Sequence, residues 1–94
     1  VVDRDGRVRG RAYRELPQHF PAPGLVEHDP DDILRTVRES AREAVERAAA
    51  EGVRPVAAGI TNQRETAVLW DRATGRAVHR ALVWQDRRTA DRCR

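Results

Sequence analysis

Gly59-Ile60-Thr61-Asn62-Gln63-Arg64-Glu65-Thr66 grows out of the apolar run Val-Ala-Ala-Gly-Ile at residues 56–60. A second stretch, Val83-Trp84-Gln85-Asp86-Arg87-Arg88-Thr89, follows one hairpin later. The apolar run is continuous rather than alternating, the pattern of a strand buried on both faces. Arg64 and Glu65 then stand at the exit of that strand, where open sheets carrying helices on their faces bind ligands. Arginine offers a rigid fork of donors, glutamate offers acceptors, and a hydroxyl group is both, so the pair can satisfy the hydroxyls of a small polyol. Trp84 supplies a flat apolar wall for the carbons between them. An exposed ion pair and a core indole are the competing interpretations of the same residues.

Working outward, Ala67-Val68-Leu69-Trp70 reads as a strand, residues 71–76 with Thr74-Gly75 as a hairpin loop, and residues 78–84 as the returning strand. Upstream, Asp29-Pro30 is a helix start: the aspartate side chain accepts from free backbone N–H groups, and proline is pre-set for the first helical position. Leu34, Val37, Ala41, Ala44 and Ala48 recur at three- and four-residue steps, with Ile33 and Val45 widening the stripe. Asp31 with Arg35, and Glu43 with Arg47, are oppositely charged pairs at i and i+4. Gly52 closes the helix. At the beginning of the chain, Asp5-Gly6 marks a tight turn between two short strands within residues 1–16. The prolines at 17, 21 and 23 make the next segment a loop ending in Val26-Glu27-His28. A second helix is expected over residues 86–94. The order is strand, strand, helix, strand, strand, strand, helix, an α/β arrangement.

Composition narrows the function. Ninety-four residues make one domain or part of one, with 35% charged and 4% aromatic side chains and a mean hydropathy of −0.75. So little apolar material covers one helix face and a few strands, an incomplete layer of a larger sheet. All 18 basic residues are arginine, and the net charge is only +3. They are spread along the chain rather than gathered in a stripe with aromatics, which argues against nucleic acid. Arg87-Arg88 is better placed to meet carboxylates or solvent than phosphate. No run approaches the ~20 apolar residues of a membrane span. Cys93 is the single cysteine, consistent with a reducing cytoplasm. His19, His28 and His79 lack metal-ligand spacing, and no phosphate-cradling glycine loop or Walker lysine occurs. The chain opens on Val, at a point that reads as mid-strand.

These segments, together with Pro23-Gly24-Leu25-Val26-Glu27-His28-Asp29-Pro30, Trp70-Asp71 and Thr74-Gly75, resemble the glycerol kinases within the FGGY family of carbohydrate kinases. The similarity covers essentially all 94 residues. Leu25 stands where many of those kinases have tryptophan. The resemblance implies a partial N-terminal kinase domain over residues 1–94, of RNase H-like, actin-type ATPase fold. It also implies that Arg64 donates to glycerol hydroxyls, Glu65 accepts from them, and Trp84 packs on the carbon chain.

The first strand with its phosphate loop, the catalytic base, and the domain holding ATP and Mg²⁺ would then lie outside these residues. On that reading the chain holds no cofactor or metal and is inactive alone, and the parent enzyme is cytoplasmic and potentially oligomeric. A kinase of another polyol or sugar from the same family, and a non-catalytic binding or oligomerisation module, are the alternatives.

Overall fold

The computed structural model describes residues 1–93. It contains strand β1 (Glu27–His28), helix α1 (Pro30–Ala50), strand β2 (Ala81–Leu82) and a short 3-10 turn at Ala90–Cys93. Two compact units are present: Val1–Glu15 with Leu34–Thr61, and Leu16–Ile33 with the residues from Asn62 on.

Helix α1 forms where the apolar spacing places it, and both ends are capped as the sequence dictates. The Asp29 carboxylate accepts from the Asp31 N–H at 2.9 Å, satisfying one of the free donors of the first turn. At the other end Gly52 adopts φ 74°. Its N–H reaches the Ala49 carbonyl at 2.9 Å, and the Val53 N–H reaches that of Ala48 at 3.0 Å, which together make a Schellman cap. The Glu43–Arg47 pair forms, and Arg35 also meets Glu39 at 3.6 Å.

In the first unit, residues 3–7 turn back on themselves. Asp3 N–H donates to the Arg7 carbonyl at 3.0 Å, and Val2 bridges Val8 in antiparallel sense. The chain then runs against α1 in the opposite direction. Arg9 meets Glu51, Arg47 donates to the Arg11 carbonyl at 2.7 Å, and Arg14 reaches Glu43 and Glu39. Beneath this lacing Gly10 is buried against Ala44 and the fully buried Ala48, so part of the small-residue stripe is covered by backbone. Leu34, Val37 and Val45 of the same stripe stay exposed.

In the second unit, β1 pairs antiparallel with β2 in the register Glu27 to Leu82 and His28 to Ala81. His19 bridges Glu27 on one side, and Ala67 bridges Leu82 on the other. The result is a narrow row of antiparallel segments over Val26, Ala81 and Val83, which are buried. The hairpin forms about the expected turn. Asp71 N–H donates to the Arg76 carbonyl, and the Asp71 carboxylate accepts from both the N–H and the hydroxyl of Thr74 at 2.7 Å. Those bonds hold its pKa below the ordinary aspartate value. Trp70 bridges Ala77 while Ala67 bridges Leu82, so the returning segment carries two extra residues between bridges, a bulge around His79-Arg80.

The seven-element order is corrected along most of the chain. The two strands expected within residues 1–16 are reduced to the bridge of Val2 with Val8, the strand expected over residues 67–70 to isolated bridges at its two ends, and the returning strand expected over residues 78–84 to Ala81–Leu82. Residues 56–60 are not a strand: Val56 is 100% and Ile60 95% exposed. An apolar run of this kind needs a pairing partner on each edge, and the described residues bring none to it. The expected loop ending at His28 closes as strand β1, because its partner is more than fifty residues away and left no local signal. The expected helix over residues 86–94 is a 3-10 turn at Ala90–Cys93, with Arg94 outside the described residues. The Asp86 side chain, used as an acceptor by the backbone and by arginine, pins the start of this segment in a turn instead.

Candidate functional site

Gln63, Arg64, Glu65 and Trp84 line one open cavity of about 270 Å³ in the second unit. The three residues singled out from the sequence are therefore brought together, although Arg64 leaves an irregular segment rather than a strand. Trp84 presents its indole with 59% of its surface exposed. Glu65 adopts φ 56°, the left-handed region that side chains with a Cβ rarely occupy. Such backbone costs about 1–3 kcal/mol and concentrates at functional positions. The turn at Arg64-Glu65 thus holds a strained residue at the cavity wall.

Gln63 is a wall residue that sequence reasoning left unassigned. Its Nε2 donates to Thr66 Oγ1 at 2.8 Å, which fixes the amide and leaves its carbonyl oxygen able to accept. Adjacency to Arg64 within one motif was the signal that could have marked it.

The cavity brings together five guanidinium donors, two carboxylate acceptors, an amide and an aromatic face. That set suits a compact ligand with several hydroxyls on a short carbon chain. Among the described residues no group of three or more His, Cys, Asp or Glu side chains is arranged to hold a metal ion. No helix there is long and apolar enough to cross a membrane.

Behind Trp84 lies a second feature. Asp86 N–H donates to the Val83 carbonyl at 2.8 Å, closing a turn over Trp84-Gln85. The Asp86 carboxylate accepts from Val26 N–H at 2.8 Å, and from the N–H and Nε of Arg88 at 3.0 and 2.8 Å. Arg88 Nη2 donates to Asp86 at 2.8 Å and to Glu27 at 2.7 Å. The side chains of Asp86 and Glu27 are only 4% and 8% exposed. Arg88, expected to find a carboxylate or solvent, has found two carboxylates. Its guanidinium, then its N–H, holds the Asp86 carboxyl far below the usual range. With the folded-state pKa below the unfolded one, the stabilisation is complete above the ordinary carboxylate range and fades as the pH drops toward the folded value.

His28 is buried beside His19, and among the described residues the Nε2 atoms of both have no hydrogen-bond partner. Burial first, then the neighbouring imidazole, lowers the His28 pKa.

Comparison with known proteins gives a consistent set. Residues 1–94 match the FGGY family of carbohydrate kinases, N-terminal domain. Proteins named glycerol kinase from Rhodospirillum centenum, Agrobacterium fabrum and Bradyrhizobium sp. strain ORS 278 are 56%, 60% and 61% identical to the chain over 93 residues. Each alignment covers 99% of this chain and 19% of the relative, so the chain spans about a fifth of the length of the curated relatives it matches.

Proposed function

The chain belongs to the FGGY family of carbohydrate kinases, and from that premise we propose that it is the N-terminal part of an ATP-dependent glycerol kinase, converting glycerol and ATP to glycerol 3-phosphate and ADP. The observation that carries this is the convergence of Arg64, Glu65 and Trp84 on one cavity, in a sequence whose relatives are named for glycerol. In this proposal the family's actin-type, RNase H-like domain is only partly represented by residues 1–94, and the protein works in the cytoplasm.

Arg64 donates two of its N–H groups to neighbouring hydroxyl oxygens. Glu65 accepts a hydrogen bond from a hydroxyl, and Trp84 packs against the C–H faces between the hydroxyls. Together they fix the polyol so that one terminal hydroxyl is presented for transfer. Positioning and charge neutralisation supply most of the rate in phosphoryl transfer. The chain spans about a fifth of the length of its relatives, and in this proposal ATP, Mg²⁺ and the base that takes the hydroxyl proton belong to other parts of the protein, with these 94 residues inactive alone.

The test is glycerol-dependent ADP formation by the full-length protein and by residues 1–94 separately, with erythritol, xylitol and pentuloses as competing substrates. Turnover is expected from the full-length protein, highest on glycerol. Turnover by the 94-residue chain, or a preference for a pentulose, would reject the assignment.

The left-handed backbone at Glu65 adds a separate expectation. Glu65→Gly and Glu65→Ala both remove the carboxylate and are expected to lose glycerol affinity alike. Glycine tolerates φ 56° and alanine does not, so the glycine variant should be the more stable by about 1 kcal/mol. Denaturant titration of the two full-length variants checks the difference, and equal stability would show that the strain is absent in the intact enzyme.

A further inference from the structure

We infer that Asp86 and Arg88, braced by Glu27, are positioning residues for the polyol, acting through Trp84 without touching the ligand; the inference rests on the glycerol-kinase proposal above. Trp84 is mostly exposed, so packing of its own side chain does little to hold it, and its place is inherited from the backbone turn that carries it. That turn is closed by Asp86 N–H on the Val83 carbonyl. It is tied to the segment before β1 by Val83 N–H on the Val26 carbonyl at 3.2 Å, by Val26 N–H on the Asp86 carboxylate at 2.8 Å, and by Arg87 N–H on the Gly24 carbonyl at 2.8 Å.

Arg88 completes the brace by bonding Asp86 and Glu27 through one guanidinium. Two carboxylates this well covered would repel each other without it. Neither Asp86 nor Arg88 is part of the cavity wall formed by Gln63, Arg64, Glu65 and Trp84. A fault in the brace therefore reaches the ligand only as a displaced indole, and displacement of about 1 Å at a substrate-positioning group costs as much as a hundredfold.

The test uses the full-length protein and steady-state kinetics on glycerol and ATP. Asp86→Asn keeps the shape but loses the charge that Arg88 grips. It is expected to raise the glycerol KM about tenfold, with kcat within about twofold and the ATP KM unmoved. Arg88→Lys, which keeps the charge but not the fork, should shift the glycerol KM in the same direction. In a Trp84→Ala background Asp86→Asn should add nothing more, since residues acting through one another are not additive.

A merely structural role predicts instead fewer active molecules with the glycerol KM unchanged. That result, or an equal KM rise with and without Trp84, overturns the inference while leaving the function standing. A wild-type protein without activity on glycerol or the other polyols overturns the function itself, and this inference with it.

Discussion

Arg64→Ala in the full-length protein is expected to raise the glycerol KM by about tenfold to a hundredfold while leaving the ATP KM nearly unchanged. A hydrogen bond to a charged donor is worth about 1.5–3 kcal/mol when its partner would otherwise be left unmet, and each 1.4 kcal/mol is a factor of ten in affinity. Arg64 faces a cavity whose other walls are Gln63, Glu65 and Trp84, and none of these can replace a forked cation. Lysine in its place retains the charge but donates from a single point, so Arg64→Lys should fall between wild type and alanine. If the contact strengthens as the hydroxyl attacks, kcat falls as well. If it is made equally in the ground and transition states, only KM moves. Steady-state kinetics with each substrate varied in turn separates the cases. A glycerol KM unchanged in Arg64→Ala would remove this residue from the site.

What the sequence made legible was local. Helix α1, its Asp29 cap and Gly52 close-out, and the Asp71 turn are written in residues within a few positions of one another, and each forms. The pairing of Glu27 with Leu82 joins segments with no common local pattern. Only the assembled chain reveals that the loop after Pro23 ends as a strand. Residues 56–60 show the opposite error: β-type composition expresses a demand for neighbours, and supplies none.

The site divides in the same way. Arg64 and Glu65 are adjacent and Trp84 lies one hairpin on, so their meeting could be anticipated. The brace of Glu27, Asp86 and Arg88 could not, because its acidic ends are fifty-nine positions apart in the chain. What looked like a basic pair at a helix start is an arginine neutralising two covered carboxylates.

Gly10→Ala is expected to be the most damaging single-methyl change in the chain, lowering the stability of the full-length protein by about 3 kcal/mol or more. A Cβ added there would lie 2.0 Å from the Ala44 carbonyl oxygen, 3.0 Å from the Ala48 nitrogen and 3.1 Å from the Ala44 carbonyl carbon. All three obstacles are main-chain atoms of α1, so no rotamer change makes room, and no side-chain substitution on the helix relieves the clash. The segment would have to lift from α1 by more than an ångström. In doing so it would strain the Arg9–Glu51, Arg47–Arg11 and Arg14–Glu43 contacts on either side. Glycine is required here for closeness of approach rather than for an unusual φ, unlike Gly6, which sits at φ 77° with open space around it. Gly6→Ala is therefore the informative control, with a backbone cost of only about 1 kcal/mol. Denaturant midpoints of the two variants should differ clearly, with Gly10→Ala far lower. Near-equal midpoints would mean that residues 9–14 are not seated on α1 in solution.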